Sequence, residues 1–490
     1  MEKTLDNARK YEETGKEAYN PKDRPAFHLT PFIGWMNDPN GFSFYKGQYH
    51  LFYQYNPYSL YWDSMHWGHA VSTDLLHWDY LPAALAPENA YDSFGVFSGS
   101  SMELSDGRQL IMYTGVIKEN DIDTQTQCLA IGDGKDYKKS EENPVININQ
   151  LPAGYDSSNF RDPKIWQDDK GIFNCITVAK KADGNGAILL YKSKDALKWQ
   201  FESVFLENKG DIGRMWECPD FFELDGKKLV CLSPQDMCAK DYKYHNGNGT
   251  VCFIGQLNKD GNKFIAESDD CIDYGIDFYA PQTVKSPDGR TIMIGWMQNW
   301  DSVNLTDRQN RNWFGQMSLP RELSVINGKL YQKPVKEIEN FRQNPVIINN
   351  QKFNGSFSSD TLKGRCFDME ITIRPENKND FNYFTVNLAG DERIEKKIIL
   401  TYNAKKGLLT FDRSWSGTRR AICNISECKV QVCQELKLRI IMDKYSIEVF
   451  INDGQQVMTN TFYTDLSADK ISFETQGSVI MNVEKYDLIF

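Results

Sequence analysis

Asp38-Pro39-Asn40-Gly41-Phe42, running on to the turn Lys46-Gly47, is the first of five segments built on one plan. The others are Ser98-Gly99-Ser100-Ser101-Met102 leading to Asp106-Gly107, Asp162-Pro163-Lys164-Ile165-Trp166 leading to Lys170-Gly171, Glu217-Cys218-Pro219-Asp220-Phe221 leading to Asp225-Gly226, and Ala280-Pro281-Gln282-Thr283-Val284 leading to Asp288-Gly289. Each opens on a polar or small residue, continues as a strand, turns at a glycine and returns as a strongly apolar strand. In every copy the opening residue lies nine positions before the turn glycine, and successive glycines are 60, 64, 55 and 63 residues apart. A glycine able to take positive φ between two β runs marks a hairpin. A second repeat runs alongside: Ser72-Thr73-Asp74-Leu75-Leu76-His77-Trp78 and Ser193-Lys194-Asp195-Ala196-Leu197-Lys198-Trp199 share a Ser-x-Asp-x-Leu-x-Trp pattern, 121 residues apart. Hairpins inside units of this size, each with about four strands, read as propeller blades. The expected fold is therefore all-β, with a five-bladed propeller over residues 27–335.

On either side of the repeat the texture changes. Residues 1–26 read as a helical extension, with Glu12, Glu13, Lys16 and Glu17 on solvated faces. Residues 336–352, with Pro345 and several Asn, read as a linker. From 353 to 490, segments such as Cys366–Arg374, Leu436–Met442 and Ser446–Ile451 alternate with period two, and a turn at Asn452-Asp453-Gly454 follows; a β-sandwich fits this pattern.

Composition excludes several classes. The 490 residues are 40% hydrophobic, 13% aromatic and 25% charged, enough apolar content for a large core and too much for a disordered chain. Lys and Arg number 56 against 67 Asp and Glu, a net charge of −11, so nucleic acid and anionic membrane surfaces are not expected partners. No run approaches the ~18 apolar residues that would span a bilayer. The charged start, Met1 to Arg24, lacks the apolar stretch and cleavage site of a signal peptide. Eleven cysteines without metal-type spacing, including Cys423, Cys428 and Cys433, suggest reduced buried thiols and a cytoplasmic protein; a mature extracellular form is the alternative. A homodimer is compatible with the sequence.

The repeat also picks out chemistry. Equivalent blade positions surround one axis, so Asp38, Ser98, Asp162, Glu217 and Ala280 should ring the channel mouth. Three are carboxylates, and crowding like charges is electrostatically costly. A cluster of acids converging on a small polar ligand accounts for it. A hard cation is the rival reading, but calcium and magnesium sites usually want more oxygen ligands in an adaptable loop, whereas Pro39, Pro163 and Pro219 stiffen these turns. His66 and His69, in an alternating strand, face opposite ways and make a poor metal pair. No metal and no cofactor are expected. Trp35, Trp62, Trp67, Trp216, Trp296 and Trp300 near the mouths, with Asn37, Gln54 and Arg161, suit a polyol with one apolar face.

Trp35–Gly41, Phe97–Ser100, Phe160–Pro163, Trp216–Asp220, Tyr279–Gln282, Gly295–Met297, Leu319–Leu323 and Val449–Gly454 together resemble the signature blocks of glycoside hydrolase family 32, in that family's order from about residue 28 to the end. The family contains invertases, sucrose-6-phosphate hydrolases, inulinases and levanases. The resemblance implies a five-bladed propeller with a C-terminal sandwich and a retaining β-fructofuranosidase. It implies Asp38 as nucleophile, Glu217 as acid/base and Asp162 as stabiliser of the transition state. Asn37, Gln54, Trp62, Phe97, Ser98, Arg161 and Trp296 would line the fructose pocket. Chemically, Asp38 should be kept ionised by neighbouring donors such as Asn37. Glu217 should hold its proton with help from apolar Trp216 and Cys218 and the nearby acids, and Arg161 should screen Asp162. The blocks that carry the resemblance do not identify the leaving group. An arabinan-cleaving propeller enzyme and a non-catalytic lectin are the rival functions; the Trp35–Gly41 block speaks against the first and the three retained acids against the second.

Overall fold

A computed structural model describes residues 2–302, 311–377, 380–393, 395–417, 423–432 and 434–490; Cys433 lies outside the described residues. Five separate sheets form the blades, each beginning with its innermost strand: Gly34–Tyr45, Gly95–Glu103, Tyr155–Gln167, Trp216–Leu224 and Tyr279–Lys285. The next three strands of each blade follow outward as antiparallel neighbours, as in Gln48–Asn56, His66–Ser72 and Asp79–Leu85 of the first. The short strand Trp313–Phe314, late in the chain, pairs in parallel with Gly34 and Trp35 and ties the last blade to the first. Closing a propeller this way leaves only short edges open.

The turn glycines fulfil the hairpin expectation: Gly47, Gly107, Gly171, Gly226 and Gly289 all have φ between +76° and +89°. The second repeat is a shared turn. Asp74 and Asp195 accept backbone N–H bonds from the residues that follow, and Trp78 and Trp199 donate their indole N–H to Leu75 O (3.1 Å) and Ala196 O (2.7 Å). Leu75 and Ala196 sit at positive φ (70° and 61°), a conformation which that shared hydrogen bonding holds.

The C-terminal domain is a folded-over, sandwich-like sheet. Its long strand Lys470–Leu488 pairs along Phe367–Pro375 at one end and Tyr383–Gly390 at the other, so it belongs to both layers. Ile371, Ile440 and Val449 from one layer and Val386, Leu400, Phe411 and Phe473 from the other share one buried core. Residues 336–352, expected as linker, instead form a 3₁₀ turn (Lys336–Phe341) and the first half of the strand Arg342–Lys363, which pairs with Lys470–Leu488. Val346, Ile348, Phe353 and Phe357 pack against the sandwich core, an apolar alternation that the prolines and asparagines masked in the sequence.

The N-terminal helix covers Leu5–Gly15, capped by the Thr4 side chain. Glu12 is not on a solvated face. It packs onto the first blade, its carboxylate accepts a hydrogen bond from Ala83 N (3.1 Å), and burial raises its pKa to about 7. No helix among the described residues is long and apolar enough to cross a membrane.

Candidate active site

Each innermost strand is interrupted by a β-bulge, near its start in four blades and past the middle of Tyr155–Gln167 in the third. Pairing skips between Met36 and Pro39, Phe97 and Gly99, Arg161 and Lys164, Glu217 and Asp220, and Tyr279 and Gln282. A bulge leaves residues outside the ladder and re-aims them, so consecutive side chains can face one side. The strands thus deliver five dipeptides around the channel mouth: Asn37-Asp38, Phe97-Ser98, Arg161-Asp162, Glu217-Cys218 and Tyr279-Ala280. Asp162, Cys218 and Ala280 share positive φ (62°, 48° and 51°), and each precedes a proline. Glu217 therefore stands one residue before the position of Asp162, not opposite it. Its equal count to the turn glycine arises because Leu224 and Lys227 close a two-residue turn, where the third blade has the longer loop from Gln167 to Phe173.

The resulting cavity, about 400 Å³, is lined by Asn37, Asp38, Phe97, Ser98, Arg161, Asp162 and Glu217, by Gln54 and Trp62 from the first blade, and by Asp123, Gln125, Ser158, Asn159, Gln235 and Trp300. Among the other expected aromatics, Trp67 and Trp216 belong to inter-blade cores. Trp296 is fully buried, its ring 6.0 Å from Trp35 and 5.0 Å from Trp300, one layer behind the wall that Trp300 forms. His66 and His69 are buried in separate contacts, with Ser64 O (2.7 Å) and His50 (3.0 Å). Among the described residues no cluster of three or more His, Cys, Asp or Glu has a metal-holding arrangement.

Asp38 accepts through one oxygen from Ser98 Oγ (3.3 Å) and Cys218 Sγ (3.5 Å), while Oδ1 is buried and accepts no hydrogen bond from a described residue. Burial, then the charges of Glu217 and Asp162, raise its pKa to about 7, outweighing the Asn37 and Cys218 side chains. The donors expected to keep Asp38 ionised are in place, but burial and the two neighbouring acids outweigh them. Asp162 accepts from Cys218 N (2.9 Å). Burial raises its pKa to about 6 despite Arg161. The guanidinium engages Glu217 more closely than Asp162: Nη2 donates to Glu217 Oε1 at 2.9 Å, whereas Nε lies 3.8 Å from Asp162. Tyr279 O–H donates to Glu217 Oε2 at 2.6 Å. Asn159 (3.1 Å) orients the same guanidinium.

Sequence reasoning passed over Tyr279, Gln125, Asn159 and Gln235. Tyr279 carried a signal, since it stands directly before Ala280-Pro281 as Glu217 stands before Cys218-Pro219. The other three lie outside the repeat and reach the cavity only through the packing of blades.

Residues 28–334 match the N-terminal domain of the glycosyl hydrolases family 32, and residues 337–488 match that family's C-terminal domain. A sucrose-6-phosphate hydrolase of Escherichia coli is 35% identical over 93% of this chain and 92% of its own, and a raffinose invertase of the same species is 34% identical over 93% of each. The solved structure of a Bombyx mori GH32 β-fructofuranosidase in complex with sucrose superposes with a TM-score of 0.83 at 31% identity, covering 99% of this chain and 98% of that one.

Proposed function

The chain belongs to glycosyl hydrolase family 32, and from that premise we propose that Asp38 and Glu217 divide the work of its double displacement. The enzyme is a β-fructofuranosidase that cleaves terminal β-D-fructofuranosides, such as sucrose, sucrose 6-phosphate or short fructo-oligosaccharides, with retention. Asp38 attacks C2 of the fructosyl unit while Glu217 gives a proton to the departing oxygen. Glu217 then takes a proton from water, which displaces Asp38 from the same carbon and restores the β configuration. Asp162, held by the Cys218 amide, binds fructose hydroxyls and faces the positive charge that develops on the ring.

The observation that carries this reading is the convergence of two carboxylates in a single cavity: Asp38, with a buried oxygen that accepts no hydrogen bond from a described residue, and Glu217, gripped by Arg161 and Tyr279. Beyond the three acids, Gln125, Ser158, Asn159 and Gln235 offer neutral hydrogen-bonding groups, Asp123 a further carboxylate and Trp300 a flat ring to the leaving sugar. The ten described cysteines carry no disulfide, which supports a cytoplasmic setting. Sugar release from sucrose, sucrose 6-phosphate, raffinose, inulin and arabinan, measured side by side, tests the assignment. Release of fructose from sucrose and raffinose is expected; cleavage of arabinan alone would overturn it.

A further inference from the structure

The geometry points to a second task for the N-terminal segment: it braces the loop that carries Trp62 and so sets how tightly the site holds its sugar. The inference rests on the reading of Trp62 as a wall of the fructoside pocket. Trp62 belongs to the connection between the strands Gln48–Asn56 and His66–Ser72 of the first blade, and its ring meets Phe97 edge-on at 5.8 Å inside the cavity. The connection is exposed at its tip. Tyr61 and Trp62 are 57% and 39% exposed, and Asn56 ties the turn through Tyr61 O (2.8 Å) and Tyr58 N (3.1 Å). Ser64 sits at a strained φ of +38°.

The N-terminal segment grips this loop on both sides of Trp62. Lys3 Nζ donates to Ser64 Oγ and lies 3.6 Å from the Asp63 carboxylate. Tyr11 meets Tyr58 edge-on at 5.2 Å. The helix between them is itself fixed to the outer part of the blade. Leu5 N donates to Glu88 (2.9 Å), Arg9 Nε to Ala83 O (3.0 Å), and Ala83 N to Glu12 (3.1 Å), with Ala8 buried beneath. A helix anchored at its middle and touching the loop at two points acts as a strut, limiting the positions the indole can take. A preorganised ring binds sugar without first losing that freedom. Lys3 and Tyr11 are positioning residues in this scheme and touch no substrate.

The test uses the full chain with Lys3→Ala and Tyr11→Ala together, Trp62→Ala, and all three combined, assayed for KM and kcat on sucrose. Exposed contacts of this kind are each worth little, so the double variant should raise KM about two- to fivefold while kcat stays within experimental scatter. On the Trp62→Ala background the same two changes should add nothing, because the brace acts through that ring. Lys3→Arg should keep the wild-type KM, and Lys16→Ala, in the exposed pair with Glu13 away from the loop, should be neutral. If Trp62→Ala raises KM but the double variant does not, the brace is wrong and the pocket assignment stands. An equal rise on both backgrounds also overturns it. If Trp62→Ala leaves KM unchanged, the pocket reading fails and the brace fails with it.

Discussion

Raising the pH from 6 to 10 should cost this enzyme about 3 kcal/mol of stability through a single histidine far from its chemistry. His28 lies where the chain enters the propeller, with its side chain buried against the sandwich. Its Nδ1 is 2.8 Å from Asp443 and its Nε2 is 3.1 Å from Glu448, so both ring nitrogens must carry protons to donate. Asp443 also accepts from Ala26 N and Phe27 N, and Glu448 from Leu319 N (2.7 Å) and Arg321. The cluster therefore joins the entering chain, the fifth blade and the sandwich. Burial alone would push the imidazole pKa down, but the two carboxylates reverse this and raise it from 6.5 to about 9. At ~1.4 kcal/mol per unit, that difference is roughly 3 kcal/mol of linkage. Because the folded value is raised, the contribution is complete below pH 6.5 and is lost as the pH climbs through 9. Asp443, held down to about 2, reports the same contact from the other side and is not added to the sum. The assay is urea unfolding followed by tryptophan fluorescence at pH 6, 7.5, 9 and 10, for wild type and His28→Gln. The variant should start several kcal/mol lower, since it leaves buried charges short of a partner, and should show a flatter pH response. Parallel pH curves for the two proteins would refute the reasoning.

Asp38→Asn should abolish turnover while leaving the unfolding midpoint near that of wild type. In the wild-type enzyme kcat/KM should fall on the acid side with a midpoint near pH 7, because the nucleophile must be ionised and its pKa is raised to about 7; a plateau reaching down to pH 4 would contradict this. Glu217→Ala should slow sucrose cleavage by ~10²–10⁴-fold but spare the first step on a fructoside with an acidic phenol leaving group. Added azide should then speed its turnover and yield a β-fructosyl azide, and an inverted product or equal damage to both substrates would show the roles misassigned.

Much of this molecule can be read from its amino-acid order, and the reason is repetition. A turn glycine at positive φ and an apolar returning strand are local requirements met in all five copies, and a proline stiffens four of the five openings, so the repeat announces five blades before any contact is known. The same repeat exposes Asp38 on the first blade and Asp162 on the third, each directly before a proline where the pairing of its innermost strand is interrupted. Glu217 came to light by the same count, although that count matched only because a shorter turn offset its different place in the bulge. The sandwich was equally legible in the alternation of Phe367–Pro375 and Ser446–Ile451. The strand that begins at Arg342 was not, because Pro345 and the asparagines around it hid its apolar alternation.

What the tertiary structure alone decides is which side chains share a charge, a proton or a wall. Arg161 stands next to Asp162 in the chain, yet its guanidinium crosses to Glu217 on the neighbouring blade, since the bulge turns adjacent residues in different directions. Trp296 and Trp300 are alike in composition, and only the packing around Trp35 sends one behind the wall and the other to its surface. Glu12 looked solvated on an isolated helix and became a half-buried acceptor once the helix docked on Ala83. His28 gives no sign of its partners, which lie more than four hundred residues along the chain. Local rules set strands, turns and the ring of acids because each depends on neighbours in sequence. Pairings across blades and domains depend on where closure of the propeller and docking of the sandwich bring distant segments, and no local pattern encodes that distance.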